Sequence, residues 1–235
     1  MMDSDPSPSW ADARRQLLTP ELWDTLRHAA GAGFLGPMAL TEQVDHALGF
    51  VWVVESVLRG PPVSVLDLGT GGGVPGLVLA SCWPAARVVL VESQQRRVAH
   101  LERARASVPE PGNLEVVGAR AELLGRRRGY REAFEAVTAR SFGPPAVTAE
   151  CGAPFVGVGG VLVASEPPAD LAAPDRWPGE GLAQLSLHDV GMVRFESRFG
   201  YRTLGKSGSI SSRFPRRTGI PAKRPLFPGT TRPKM

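Results

Sequence analysis

The chain has 235 residues, of which 43% are hydrophobic, enough for the core of one large domain or of one domain with extensions. No apolar run approaches the ~18 residues of a membrane span, and the polar, acidic start is unlike a secretory leader. Cys82 and Cys151 lack metal-binding spacing, which favours buried thiols in a reducing compartment. We therefore expect a cytoplasmic protein that binds neither membrane nor metal.

The basic residues are concentrated at the C-terminal end. Residues 197–235 contain ten of the 27 Lys and Arg residues and none of the 23 Asp and Glu residues. Residues 1–196 therefore carry 17 basic and 23 acidic residues, a net charge of −6. A mildly acidic body with a strongly basic C-terminal segment predicts an anionic partner.

The first 60 residues predict a helical extension. Residues 1–9 are polar and predict disorder. Thr19, followed by proline and glutamate, is typical of a helix start. Thr41 predicts the cap of a second helix that runs to about Arg59 and is apolar most of the way round, so we expect it to pack on a sheet.

Residues 61–205 predict alternating strands and helices. Such alternation is typical of a parallel sheet with right-handed crossovers. The segments 185–197 and 201–204 predict a closing antiparallel hairpin, and residues 167–181 predict a loop. The predicted strands are 63–68, 87–92, 113–117, 134–139 and 160–165, and the predicted helices are 75–82, 94–107 and 146–155.

A glycine-rich segment follows the first predicted strand. The sequence Asp67-Leu-Gly-Thr-Gly-Gly-Gly-Val-Pro-Gly places a glycine loop between this strand and a helix that begins near Pro75. The loop amides and the helix N-terminus then lie at the carboxyl end of the strand, where open α/β sheets bind ligands.

The glycine spacing fits two ligands. Gly71-x-Gly73-x-x-Gly76 has the spacing of a dinucleotide-binding loop. Asp67-x-Gly69-x-Gly71-x-Gly73 is instead typical of the first motif of S-adenosylmethionine (SAM) methyltransferases. A carboxylate at this position suits the cationic amino end of SAM and is poorly placed beside a pyrophosphate. We favour SAM over a dinucleotide and over a glycine turn without a ligand.

Three further segments at predicted strand ends are candidates for the same site. Glu92 ends the second strand, where a carboxylate can accept hydrogen bonds from both ribose hydroxyls. Ala121 and Glu122 follow the third strand, where they can frame an adenine. After the fourth strand, Arg140 can contact the SAM carboxylate or an RNA phosphate, and Phe142 can stack on a base. The alternative at each position is an ordinary structural residue.

The basic segment 206–235 mixes Arg and Lys with Gly, Ser and Pro. This composition predicts a flexible tail that follows a phosphate backbone, with a solubilising tail as the alternative. The tail residues that we expect to contact RNA are Arg213, Arg216, Arg217, Lys223 and Arg224.

Several separated segments together resemble one family, the RsmG (GidB) guanine-N7 methyltransferases of 16S rRNA. The segments are 67–77, 91–101, 120–122, 139–142 and, at the C-terminal end, 213–226. The resemblance implies an α/β fold of the Rossmann-like class I SAM-dependent methyltransferases, with 16S rRNA or the small ribosomal subunit as partner. The implied domains are a helical extension over 1–60, a methyltransferase domain over 61–205 and a basic flexible tail over 206–235.

The resemblance also implies individual roles. In the family, SAM is held by the first loop glycine, the apolar residue before the proline, the pair after the third strand and the arginine after the fourth. These positions are Gly69, Val74, Ala121, Glu122 and Arg140 in this chain. The predicted cofactor site combines them with Asp67, Gly71, Gly73 and Glu92. Guanine N7 has a lone pair and no proton, so we predict no catalytic side chain.

Two parts of the family pattern are missing. The N-terminal Trp-Asn and Asn-Leu-Thr signature is replaced by residues 28–37, and a Lys-Gly after the fifth strand is replaced by Glu166-Pro167. Both positions would border the RNA, so a diverged SAM-dependent methyltransferase with another substrate is the alternative. An NAD-dependent oxidoreductase and a non-catalytic ribosome-binding module are more distant alternatives.

Overall fold

The computed structural model describes residues 6–167 and 176–228. This part of the chain contains a seven-stranded sheet in the order β3-β2-β1-β4-β5-β7-β6. Strands β1 to β5 are parallel, and β6 and β7 form an antiparallel hairpin that pairs with β5 through β7. The predicted α/β class with a mostly parallel sheet and a closing hairpin is confirmed. The strands are β1 (Ser64–Leu68), β2 (Arg87–Glu92), β3 (Leu114–Gly118), β4 (Phe134–Ala139), β5 (Val156–Glu166), β6 (Leu187–Phe195) and β7 (Phe199–Lys206).

Helices of the described residues cover both faces of this sheet. None of them combines the length and the apolar composition that a membrane span requires. The helices are α1 (Pro8–Arg15), α2 (Pro20–Gly31), α3 (Leu40–Leu58), α4 (Gly76–Cys82), α5 (Gln95–Ala104), α6 (Ala121–Leu124), α7 (Pro145–Gly152), α8 (Gly179–Ala183) and α9 (Ile220–Lys223), with 3₁₀ turns at Arg105–Ser107 and Pro111–Asn113.

The sheet separates two hydrophobic cores. Side chains alternate along a strand, so Val65 joins the first core and Leu66 the second. The first core lies under α2, α3, α4 and α5, and α3 is buried around most of its circumference, as its apolar sequence predicted. The second core lies under α6, α7 and the residues after β7. Both cysteines are buried free thiols, as predicted.

The N-terminal predictions need two corrections. Residues 8 and 9 are helical rather than disordered, because Ser7 caps α1 by accepting a hydrogen bond from the backbone N–H of Trp10. Thr41 lies inside α3, which begins one residue earlier without a side-chain cap. Residues 1–5 of the predicted disordered start lie outside the described residues, as do residues 168–175 of the predicted loop.

The prediction of a flexible tail is wrong for residues 207–228, which we call the C-terminal segment. Ile210, Phe214 and Phe227 are buried in the second core. The Arg131 guanidinium donates hydrogen bonds to the carbonyl oxygens of Ile210, Ser211 and Phe214. The spacing of these three apolar residues follows neither a helical nor a strand period. The basic, glycine-rich composition therefore gave no indication that they are buried. Residues 229–235 lie outside the described part of the chain.

Candidate functional site

A cavity of about 390 Å³ lies at the carboxyl ends of β1 to β4. Strand β1 pairs with β2 on one side and β4 on the other, so the strand order reverses here, as at the ligand sites of other open α/β sheets. The volume falls within the roughly 300–1,000 Å³ of small-molecule sites. The lining residues are Gly69, Val91, Glu92, Ser93, Gln94, Arg97, Ala119, Arg120, Ala121, Glu122, Ser141, Phe142, Gly143, Pro144, Val147, Cys151 and Ala222.

The structure brings only part of the predicted cofactor set to this cavity. Four members line it, together with Phe142, which the sequence assigned to RNA. The other five members lie beneath or beside the cavity. The lining members are Gly69, Glu92, Ala121 and Glu122, and the others are Asp67, Gly71, Gly73, Val74 and Arg140.

The Glu92 carboxylate accepts hydrogen bonds from the backbone around the cavity. It is 5% exposed and accepts hydrogen bonds from the N–H groups of Gly71 at 3.1 Å, Ser93 at 2.7 Å and Gln94 at 2.8 Å. Arg97 Nη1 lies 3.7 Å from Oε2. A carboxylate has about four lone-pair positions, so three amides leave about one for a ligand hydroxyl. The sequence had predicted that Glu92 would accept from both ribose hydroxyls.

Asp67 lies beneath the glycine loop. Its carboxylate is 1% exposed, and it accepts hydrogen bonds from the Thr138 hydroxyl at 2.8 Å and from the Gly76 N–H at 3.0 Å. It therefore ties β1 to β4 and to the N-terminus of α4. Burial raises the pKa of Asp67, and these hydrogen bonds oppose that shift. Asp67 does not line the cavity, so the expected contact of its carboxylate with a cationic ligand stays a prediction.

The loop glycines are required for backbone conformation and packing. Gly69, Gly71 and Gly73 have φ angles of +69°, +61° and +99°. A Cβ at Gly69 would lie 2.6 Å from the Phe142 ring, inside the cavity, whereas a Cβ at Gly73 would overlap Leu77 beneath the loop. All three glycines thus have left-handed conformations that a side chain would strain, and of the three Gly69 is the one that lines the cavity.

Two predicted cofactor residues, Val74 and Arg140, contact other parts of the protein instead of lining the cavity. Val74 is 5% exposed and belongs to the first core, so it supports the loop from below. Arg140 follows β4, and its Nη2 donates to Gln43 Oε1 at 2.5 Å. Burial lowers the pKa of Arg140, and the neighbouring Asp67 charge opposes this shift. Ser141 has a φ of +53°, which turns the chain so that Phe142 reaches the cavity.

The C-terminal segment forms one wall of the cavity through Ala222, a contribution that the sequence did not predict. Glu122 accepts hydrogen bonds from the Gly219 N–H at 2.9 Å and from Arg120 Nη2 at 3.2 Å. Burial opposes ionisation of Glu122, but the hydrogen bonds and Arg120 outweigh it and lower its pKa. The Glu122 carboxylate thus links the C-terminal segment to α6.

Arg216 anchors the same segment. Its Nε and backbone N–H donate to Glu150 Oε1 at 2.8 and 2.9 Å, and its Nη2 donates to Oε2 at 2.5 Å. Glu150 is fully buried, so this guanidinium is a structural partner, whereas the sequence predicted only an RNA contact for it. The other basic residues predicted to contact RNA, Arg213, Arg217, Lys223 and Arg224, are exposed.

Within residues 6–167 and 176–228, no group of three His, Cys, Asp or Glu side chains could hold a metal ion. The features missed from the sequence were the contacts of Gln43 and of the C-terminal segment. The start of α3 is polar, with Thr41, Glu42 and Asp45 around Gln43, so no signal in the sequence indicated the burial of this amide.

Comparison with known proteins finds similar sequences. Residues 35–167 match the family model of rRNA small subunit methyltransferase G (GidB). The Ribosomal RNA small subunit methyltransferase G of Moorella thermoacetica is 32% identical over 179 residues, which cover 71% of this chain and 70% of that protein. The protein of the same name from Pelotomaculum thermopropionicum is 33% identical over 187 residues, 78% of each chain.

A solved structure gives an independent view of the fold. The O-methyltransferase from Bacillus cereus in complex with SAH superposes with a TM-score of 0.53 over 79% of this chain and 90% of that chain. The two sequences are 14% identical, so this likeness concerns the fold alone. The two chains share the arrangement of the sheet and its helices.

Proposed function

The chain belongs to the rRNA small subunit methyltransferase G (GidB) family, and from that membership we propose that it transfers the methyl group of SAM to N7 of a guanine in 16S rRNA. It is a SAM-dependent rRNA methyltransferase. The family match over residues 35–167, which contain most of the cavity lining, carries the proposal. The roles of individual residues are inferences from the geometry.

The cavity fits the cofactor in chemistry as well as in size. We infer that Glu92 accepts a ribose hydroxyl with its remaining lone pair, and that Ala121 and Glu122 frame the adenine. Gly69 permits close approach of the ligand to the backbone, and Arg140 offers a guanidinium N–H to the carboxylate. Asp67, Gly71, Gly73 and Val74 then act on the cofactor by shaping the loop.

The chemistry requires alignment more than proton transfer. Bound SAM supplies a methyl group on a cationic sulfur. Guanine N7 carries an in-plane lone pair and no proton, so the protein has no proton to remove. The chain must hold the base in line and exclude water, and we infer that Phe142, at the cavity and over Gly69, stacks on the base.

Exposed cations near the cavity are suited to the RNA backbone. Arg120 lines the cavity, and its partner Glu122 also binds the Gly219 N–H, so Arg120 lies beside the C-terminal segment. We infer that RNA phosphates are bound by Arg120 and by the exposed basic residues Arg213, Arg217, Lys223 and Arg224. The partner is 16S rRNA, free or within the small ribosomal subunit, and such a partner implies a cytoplasmic reaction.

A different methylated base is the second candidate, and two observations favour it. Phe34 and Leu35, in the region that replaces the family signature, lie against the glycine loop. Glu166, where members often carry Lys-Gly, is buried and accepts hydrogen bonds from Arg176 and Trp177. Both differences lie beside the site, so they bear on substrate choice more than on the cofactor.

An in vitro transfer assay tests the proposal. Purified protein is incubated with methyl-labelled SAM and either naked 16S rRNA or small ribosomal subunits, and the digested RNA is analysed by mass spectrometry. We expect label in 7-methylguanosine with at least one of the two substrates. Label in another nucleoside would support the second candidate, and no label with either substrate would contradict both.

A further inference from the structure

Gln43 is a fully buried amide in the first turn of α3. Its Nε2 donates hydrogen bonds to the carbonyl oxygens of Gly36 at 3.0 Å and Met38 at 2.9 Å. Its Oε1 accepts from Arg140 Nη2 at 2.5 Å. Both amide protons are therefore used by the preceding loop, and the oxygen is left to hold an arginine 97 positions away in sequence.

The loop held by Gln43, residues 33–39, covers the glycine loop. A Cβ added at Gly71 would lie 3.5 Å from the Phe34 carbonyl oxygen, and one added at Gly72 would lie 2.7 Å from Leu35 Cδ2. The two loops are therefore in direct contact. Gln43 connects this cover to the end of β4.

The other nitrogen of the arginine is unused by the protein. Arg140 Nη1 is buried and has no hydrogen-bond partner within the described ranges. A guanidinium is a rigid planar fork, so fixing Nη2 on Gln43 also fixes the direction in which Nη1 points. A buried donor without a partner is costly, and this gives Nη1 a strong preference for an anionic ligand.

We propose that Gln43 is a positioning residue that orients Arg140 so that its free Nη1 meets the carboxylate of bound SAM. The inference rests on the role proposed above for Arg140. It differs from a packing role because it predicts that Gln43 affects cofactor affinity only while Arg140 is present. The loop over residues 33–39 accepts from Nε2, so the amide oxygen is the atom that faces Arg140.

A double-mutant cycle on the full chain tests this proposal. The variants are Gln43→Met, Arg140→Ala and the combination, with SAM affinity measured by calorimetry and melting temperature measured separately. We expect Gln43→Met to weaken SAM binding roughly tenfold in the natural background and less than about twofold beside Arg140→Ala. Val53→Ala, a buried substitution in the same helix, should lower the melting temperature without changing SAM affinity.

Gln43→Glu keeps the acceptor for Arg140 but loses both donors to the loop. It should therefore lower the melting temperature while SAM affinity stays within about threefold of the natural protein. Equal weakening by Gln43→Met in both backgrounds, or weakening by Gln43→Glu as large as by Gln43→Met, would overturn the proposal alone. Natural affinity in Arg140→Ala would instead overturn the role of Arg140 and this inference with it.

Discussion

Two buried carboxylates at the cavity accept hydrogen bonds from the protein's own backbone. Glu92 accepts from three amides around the cavity, and Asp67 accepts from the N-terminus of α4. These contacts hold Gly71, which has a left-handed conformation, and the start of α4 before any ligand is bound. A preformed loop reduces the ordering cost of binding, so these carboxylates contribute to affinity even where they do not touch the ligand.

Glu92→Gln tests this role. We expect SAM binding to weaken by roughly 1–3 kcal/mol, because the amide would turn a donor towards backbone N–H groups that now have an acceptor. Calorimetry measures the change. Glu135→Gln, at an exposed acid of β4 that does not line the cavity, is the matched control and should leave the affinity unchanged. Natural SAM affinity in Glu92→Gln would place the cofactor elsewhere.

His46 gives the molecule a pH dependence of its own. The ring stacks on Phe199 with centroids 4.8 Å apart and packs near Tyr201, and neither ring nitrogen has a hydrogen-bond partner among the described residues. Burial, together with the nearby Arg140 charge, lowers the pKa of His46 to about 3. The unfolded chain binds the proton near pH 6.5, so stability falls as pH drops from 6.5 towards 3.

His46→Leu should remove this part of the acid sensitivity. Between pH 6.5 and pH 3, the variant should lose less unfolding free energy than the natural protein, by on the order of 3–5 kcal/mol. Urea denaturation at a series of pH values measures the difference. At pH 8 the histidine is neutral in both states, so that point isolates the packing effect. Parallel stability curves for the two proteins would show that His46 does not titrate on unfolding.

At the scale of elements, the C-terminal segment is part of the cavity wall. It anchors apolar side chains in the second core, pairs Arg216 with the buried Glu150 of α7, and supplies Ala222 to the cavity wall. Its fixed residues and its exposed cations are therefore separate groups. One group should control stability and cofactor affinity, and the other should control RNA affinity.

Glu150→Gln should loosen the wall. A broken buried ion pair costs roughly 3–5 kcal/mol, and we expect a smaller loss of stability here because Arg216 is partly exposed. SAM affinity should fall with it, since the wall would no longer be held. Thermal unfolding and calorimetry measure the two effects. A variant with natural SAM affinity and a lower melting temperature would show that the segment is structural only.

Replacing Arg213, Arg217, Lys223 and Arg224 together by glutamine should affect RNA and not SAM. The slope of log affinity against log salt should become shallower by roughly 0.7–0.9 for each phosphate that the protein no longer neutralises. Titration of a 16S rRNA fragment at several salt concentrations measures it. Arg216 stays unchanged in this variant, so the melting temperature should hold. An unchanged slope would mean that these cations only solubilise the protein.

At the scale of the whole molecule, local patterns predicted the sheet. The apolar segments 87–92 and 134–139 predicted β2 and β4 with their observed bounds. The glycine motif predicted the position of the cavity. Contacts between distant residues could not be predicted in this way. Gln43 and Arg140 are 97 positions apart, and Ile210, Phe214 and Phe227 follow no period. Composition alone therefore predicted a flexible tail, whereas residues 207–228 are anchored in the second core and form one wall of the cavity.

The activity proposed for this chain is methylation of N7 of a guanine in 16S rRNA. Nucleoside mass spectrometry of 16S rRNA from cells with and without the gene tests it most directly. We expect 7-methylguanosine to fall when the gene is deleted and to return when the chain is restored. Undiminished 7-methylguanosine, with the loss of a different methylated nucleoside, would contradict the claim while leaving the methyltransferase fold intact.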